Sequence, residues 1–425
     1  MNMNTNPAEG MRDFSPKDVE LRRYLTNKII ESYRQFGFEQ IETPCVERIQ
    51  FLTSGDGGDN EKMLFKILKR GEKLKIEANS SENDLADLGL RYDLTVPLCR
   101  FYANNKTKLP AHFKTIQVGN VWRAERPQKG RFRQFTQCDI DIIGIDNVLA
   151  ETQLILATSG TLKTLGFSNF TIRVNDRRIL ESLASHCGFE TAQFEKVFII
   201  FDKLDKIGID GVQQELEQAQ FSTDAIQQFI SLIKQTTQID FSIESLKTLL
   251  PEIPENVIHD LQMVIDTIRS VSNQEYKIQL DVSLVRGMGY YTGQIFEIGM
   301  DGYRSSIAGG GRYNKMIAKI LGSDEQIPAC GFSIGFERVL SILEEQGFTI
   351  PETQQKIAIL YKLDASQHLS DLYAKVDALK AKGNIVSVEI QIKNTKKQLD
   401  DLKAKGFSAF AFYQPENELQ LKLLS

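Results

Sequence analysis

The sequence is sparing with the residues that build metal sites and disulfide scaffolds. It holds five cysteines and four histidines in 425 residues. The cysteines stand far apart, at 45, 99, 138, 187 and 330, with no CxxC pair, and the histidines, at 112, 186, 259 and 368, form no spaced pair. This spacing argues against zinc and against a disulfide framework, and it fits reduced thiols in a cytoplasmic setting. No apolar run approaches the roughly 18 residues of a membrane span. The start, MNMNTNPAEGMRDF, has neither an apolar h-region nor an Arg- and Ser-rich amphipathic pattern, so no targeting segment is expected. There is no P-loop, no dinucleotide-binding fingerprint and no visible internal repeat. The formal net charge is −5. Without a global basic field, any nucleic acid must be held by local patches, with salt-sensitive affinity.

What is present is a globular composition, 41% hydrophobic and 25% charged, in a chain long enough for two or three cores. Its most informative stretch is VGNVWRAERPQKGRFRQFTQCDIDIIG, residues 118–144. It reads as two strands joined by a loop centred on Pro127–Gly130. Period-two alternation puts Val121, Arg123 and Glu125 on one face of the first strand, and Gln137, Asp139 and Asp141 on one face of the second. Arginines and carboxylates projecting into one concavity suit a polyanion beside a small cationic ligand. A solvated hairpin of mixed charge is the plainer reading of the stretch taken alone.

Around it, Ser15-Pro16-Lys17-Asp18 predicts a capped helix ended by Gly37, and residues 38–44 a short edge strand stopped by Pro44. MLFKIL and KLKIEA read as a hairpin. Asp93 and Thr95 read as one strand face able to bind an ammonium group, with a helix cap at Asp93 as the alternative. A helix over 148–165 and a strand over 170–174 follow. From about 176 to 273, Gln, Glu, Lys, Ile and Leu recur at helical spacing. Strand alternation returns at 276–282 and leads to Arg286 and a glycine-rich run. Ala308–Tyr313, with Gly309, Gly310 and Gly311, reads as a second glycine-rich turn entering a helix; tight packing is the commoner reason for such a run. Near 330–338 a strand runs into a helix whose first turn carries Arg338. A cation there opposes the helix dipole, and a bound anion would account for it. Beyond a linker near 348–355, the order β-α-β-α-β implies a small parallel α/β domain.

Together these motifs resemble the histidyl-tRNA synthetase family of class II aminoacyl-tRNA synthetases. GFEQIETP (37–44) is similar to the dimer-forming class motif, and WRAERPQKGRFRQFTQCDID (122–141) to the arginine-bearing strand-loop-strand. GFSIGFERV (331–339) is similar to the strand and helix of the third class motif. LVRGMGYYTG (284–293) and AGGGRYN (308–314) resemble the two motifs particular to the histidine enzymes. The family pattern has an acidic residue where Gly289 stands, and normally a longer C-terminal domain.

The resemblance implies an α/β fold: a class II antiparallel sheet flanked by helices, a helical insertion and a small C-terminal α/β domain. The implied division is a catalytic core over 1–175 and 276–350, an insertion over 176–275, and an anticodon-binding-like domain over 351–425. It implies activation of L-histidine by ATP to histidyl-adenylate, then transfer to the 3′ end of histidine tRNA. A catalytically inactive regulatory subunit or tRNA-sensing module is the alternative. Arg123 would contact the α-phosphate and Glu125 the adenine edge. Arg131 and Arg338 would hold the outer phosphates, and Gly309 to Gly311 would back the nucleotide. Arg286 would approach the α-phosphate and the histidine carboxylate. Asp93, Thr95 and Gln137 would hold the α-amino group. Asp141 and Tyr291 would read the imidazole, with Tyr290 lining the pocket. Asp139 receives no ligand. Mg²⁺ would arrive with ATP, no zinc is expected, and the protein would be a cytoplasmic homodimer without a membrane partner.

Overall fold

The structure, a computed structural model, describes residues 3–53, 63–126, 132–237, 241–286, 289–303, 305–351, 354–362, 368–415 and 417–424. The chain falls into two compact units, one of residues 1–13 and 22–346, the other of 14–21 and 347–425.

The first helix, Pro16–Gln35, starts as its capping signal dictates. The Ser15 N–H donates to Asp18 Oδ2 at 2.9 Å, and the Asp18 N–H to Ser15 Oγ at 3.3 Å. Gly37 follows its end at φ +81°. Its apolar stripe, Leu25, Ile29 and Tyr33, is buried.

In chain order the strands are β1 (Glu39–Gln40), β2 (Val46–Arg48), β3 (Lys66–Leu68), β4 (Ala86–Leu90), β5 (Phe113–Trp122), β6 (Gln134–Ile143), β7 (Phe170–Asp176), β8 (Lys277–Leu280), β9 (Gln294–Met300), β10 (Ala308–Arg312) and β11 (Ala329–Gly335). Eight of them form one sheet, ordered β1-β5-β6-β11-β10-β9-β7-β8. It is antiparallel from β5 to β7, with a parallel pair at each edge, β1 with β5 and β7 with β8. β1, the strand stopped before Pro44, is an edge strand as expected. The segment between β7 and β8 carries six helices among the described residues, from Arg177–His186 to Glu255–Ser272. They close around aromatic side chains such as Phe201 and Phe229, whose rings meet edge to face at 5.1 Å.

The second unit has a four-stranded sheet of β12 (Lys356–Tyr361), β13 (Ile385–Ile390), β14 (Ala409–Phe412) and β15 (Lys422–Leu423). β12 pairs in parallel with β13 and β14, as the β-α-β-α-β order requires. β15 adds an antiparallel edge.

Several local expectations are corrected. Ala308–Arg312 is a fully buried strand rather than a turn, and only Asn314–Leu321 after it is helical. β3 pairs with β4 rather than with KLKIEA, which forms no strand. Asp93 and Thr95 lie on no strand. Thr95 opens the helix Thr95–Asn105, and Asp93 Oδ1 accepts from the Val96 N–H at 3.1 Å. β5 ends at Trp122, so Arg123 and Glu125 lie just beyond it.

Candidate active site

Sheet register assembles the site. One row of paired residues crosses the sheet through Gln117, Asp139, Ser333, Gly309, Glu297 and Arg173. The next row holds Thr115, Asp141, Gly331, Gly311 and Ile295. Paired residues share a face, so the alternation read along β6 extends across its neighbours. The glycines on this face give room to other groups. A Cβ on Gly331 would fall 2.1 Å from Asp141 Oδ1, and one on Gly309 2.1 Å from the Arg286 guanidinium. At Gly311 it would meet Tyr291 Cδ1 at 2.9 Å. The bare backbone of β10 is therefore covered by Arg286 and Tyr291.

Three carboxyl groups are buried here: Asp93 and Asp141 are each 2% exposed and Asp139 4%. Burial pushes Asp93 up to about 6, against the Val96 N–H bond and the Arg123 charge. Burial pushes Asp141 up to about 7, although the Tyr313 hydroxyl donates to its Oδ1 at 2.6 Å. Asp139 is driven well above the usual carboxylate range by burial and then by Asp141. Asp93 Oδ2, Gln137 Oε1, Asp139 Oδ1 and Asp141 Oδ2 have no hydrogen-bond partner among the described residues. A buried cluster of unmatched acceptors is costly unless a donor-rich ligand completes it. Gln137 Nε2 donates to Ser333 Oγ at 3.2 Å, turning its carbonyl oxygen free. Tyr290 and Tyr291 stack as a tilted pair with centroids 4.9 Å apart. Tyr290 also meets the Tyr313 ring edge to face, with centroids 6.1 Å apart.

The arginines lie around this acidic floor. Arg286 Nη1 donates to Glu297 Oε2 at 2.9 Å, and Glu297 also accepts from Arg173. Arg123 Nε donates to the Tyr92 carbonyl at 3.1 Å, and its guanidinium lies 5.1 Å over the Phe135 ring. The Glu125 carbonyl accepts from Arg133 Nε at 3.0 Å. Arg338, exposed in the first turn of the helix Phe336–Glu345, donates to the Ser306 carbonyl. Arg131, expected at the outer phosphates, lies outside the described residues, as do Gly287 and Met288. Among the described residues no group of three His, Cys, Asp or Glu could hold a metal ion, and no helix is long and apolar enough to cross a membrane.

Four side chains of this region were not singled out from the sequence. Tyr313 sits inside the GGGRY run, a signal that was available. Ser333 and Glu297 face the site because of strand pairing, which a linear reading does not supply. Glu337 is buried and accepts from both ends of the Arg22 guanidinium, at 2.8 and 2.7 Å, from Arg12, and from the Thr136 N–H at 3.2 Å. It thereby ties the N-terminal segment to β6.

Comparison of the whole chain with known proteins points to one family. The family model described as histidyl-tRNA synthetase matches residues 10–339. A histidine–tRNA ligase of Leifsonia xyli subsp. xyli is 42% identical over 99% of this chain and 98% of its own length. Measured against that relative, the C-terminal unit is not abbreviated. A crystal structure of histidyl-tRNA synthetase from Nostoc sp. PCC 7120 superposes with a TM-score of 0.78 at 26% identity, covering 100% of this chain and 95% of that one. A structure described as an ATP phosphoribosyltransferase regulatory subunit/histidyl-tRNA synthetase from Bacillus halodurans C has a TM-score of 0.75 over 97% of this chain and 99% of that one. At 19% identity it shares the fold. With a matching family model over most of its length and a full-length relative at this identity, the chain belongs to the histidyl-tRNA synthetase family.

Proposed function

We propose that this protein is a histidine–tRNA ligase. The observation that carries the reading is the juxtaposition of the Asp141–Tyr313 pair and the unmatched oxygen of Asp93 with Arg286 over Gly309. Imidazole offers one donor and one acceptor when neutral. The Asp141 carboxylate accepts from its N–H, and the Tyr291 hydroxyl donates to the other nitrogen, with Tyr290 as the pocket wall. Asp93, Thr95 and Gln137 take the α-ammonium. Arg286 takes the carboxylate and holds it toward the α-phosphate.

In the reaction a histidine carboxylate oxygen bonds to the α-phosphorus, and the bond from that phosphorus to the pyrophosphate oxygen breaks. Charge builds on the phosphoryl oxygens, and the planar forks of Arg123 and Arg286 neutralise it. Glu125 meets the adenine edge, and Arg131 and Arg338 meet the outer phosphates. Gly309 to Gly311 back the nucleotide, and Gly309 gives Arg286 its place. Mg²⁺ enters as part of the ATP substrate, where it supplies further charge neutralisation. Histidine then moves to the 3′ end of its tRNA and AMP leaves. No protein nucleophile is needed, because positioning and charge stabilisation do the work.

The chain is read as a cytoplasmic homodimer, joined through the edge that β1 occupies. Its catalytic core comprises 1–175 and 276–350, with the insertion over 176–275 and an anticodon-side domain over 351–425. Histidine-dependent ATP–pyrophosphate exchange tests the reading directly. Exchange with histidine alone among the amino acids is the expected result. Absence of exchange with any amino acid would favour a regulatory or tRNA-sensing role instead.

A further inference from the structure

We propose that Asp139 is a substrate-contacting residue that takes one hydrogen of the amino acid's α-ammonium, beside Asp93 and Gln137. The proposal rests on the histidine reading above and adds a residue that the reading left without a ligand.

Asp139 pairs with Ser333 on β11, which pairs with Gly309 on β10, the seat of Arg286. Two strand steps of about 4.8 Å separate Asp139 from Gly309, and two residues along β6, about 7 Å, separate it from Asp141. An amino acid with its carboxylate at Arg286 and its ring at Asp141 spans that corner. Its α-ammonium, bonded to the same carbon as the carboxylate, then lies over the row that Asp139 shares with Ser333. Gln137, on the far side of Asp139 along the strand, flanks the same spot.

Hydrogen bonding points the same way. Gln137 Nε2 donates to Ser333 Oγ, which leaves its amide oxygen unmatched. Gln137 Oε1, Asp139 Oδ1 and Asp93 Oδ2 are buried acceptors with no hydrogen-bond partner among the described residues. An ammonium group has three hydrogens, and these are three acceptors.

Asp93, Asp139 and Asp141 are buried together, and the cation that lowers both Asp93 and Asp139 is Arg123. Carboxyls buried together hold their protons until a further cation joins them. The α-ammonium supplies that charge at this spot.

The test is calorimetric binding to the full-length protein with three ligands. Histidine is the reference. Histidinol keeps the ammonium and the ring and lacks the carboxylate. Imidazole-4-propanoate keeps the ring and the carboxylate and lacks the ammonium. Asp139→Asn should weaken histidine and histidinol by the same factor, about 10- to 100-fold, the scale of one hydrogen bond to a charged group. Imidazole-4-propanoate affinity and the KM for ATP should not move. Asp139→Ala, which removes the acceptor altogether, should give a loss at least as large, confined to the two ammonium-bearing ligands. If Asp139→Asn does not fold, the Asp139→Ala variant decides. Equal weakening of all three ligands would overturn the proposal by making Asp139 a ring contact or a structural residue. Unchanged histidine affinity would overturn it too. A wild-type protein that binds no histidine would sink the functional reading and the proposal together, whereas wild-type binding with an indifferent variant would sink the proposal alone.

Discussion

Arg286 and Gly309 occupy one place: a Cβ at residue 309 would lie 2.1 Å from the Arg286 guanidinium. The guanidinium is the far end of a flexible side chain and can yield. Gly309→Ala should therefore fold while displacing Arg286, lowering histidine-dependent exchange by about 100-fold, the lower end of the range for losing one charge-stabilising donor. At Gly310 the added Cβ would lie 2.0 Å from the Gly331 carbonyl oxygen, and paired backbone cannot move aside. Gly310→Ala should instead lower the unfolding midpoint, with a cost of about 1–3 kcal/mol. Thermal melts set beside exchange rates separate the two outcomes.

Removing the guanidinium itself is the sharper experiment. Arg286→Ala should slow adenylation by about 10²-fold or more, while Glu297 loses one of its two arginine partners and keeps Arg173. Pyrophosphate exchange at the wild-type rate in this variant would refute the role given to Arg286.

The proposed site predicts that ring recognition is separable from nucleotide binding. Asp141→Ala should abolish histidine binding with ATP binding preserved, and equal loss of both would make the residue a support of the fold. Tyr313→Phe removes the 2.6 Å hydrogen bond to Asp141. It should raise the histidine KM by about 10-fold, the worth of one charge-assisted hydrogen bond, with little change in the KM for ATP.

The period-two pattern of β6 was legible: Gln137, Asp139 and Asp141 do share a face, because strand geometry is set locally. The capped start of the first helix was legible for the same reason. The glycines of β10 were not. Their purpose lies in what neighbouring elements place over them, Arg286 at Gly309 and Tyr291 at Gly311, and such register is a long-range property. Asp93 and Thr95 misled the alternation because the two residues straddle a helix start, where the carboxylate bonds the Val96 N–H. Ser333 and Glu297 enter the site through pairing alone, so no window of sequence announces them.

The buried carboxyls make the unliganded protein sensitive to pH in a definite direction. Folded-state values of about 6 for Asp93 and about 7 for Asp141 stand above the ordinary 3.8. The folded chain therefore binds these protons more tightly than the unfolded one. Their contribution to stability is complete below about pH 4 and is lost as pH rises through 6 and 7. Melts of the unliganded protein between pH 5 and 8 should show this loss. Asp141→Asn should flatten it and stabilise the protein at pH 8 by on the order of 1–3 kcal/mol, while weakening histidine. A slope unaffected by the substitution would contradict the assignment.

Glu337 gives a prediction about stability alone. Its carboxylate is shared by Arg12, Arg22 and the Thr136 N–H. Glu337→Ala removes the acceptor these groups share beside β6 and should cost about 3 kcal/mol, read as a lowered midpoint in urea.

The parallel pairing of β7 with β8 has a consequence for how the molecule is assembled. β7 ends at Asp176 and β8 begins at Lys277. Strands running the same way cannot be joined by a tight turn, so the chain must leave the sheet there and come back. The helical segment is that obligatory excursion, which makes it shortenable but not dispensable. It also means that the outer strand must close a very long loop, and its docking is expected to complete the sheet late in folding, after the locally connected β5–β6 hairpin has formed.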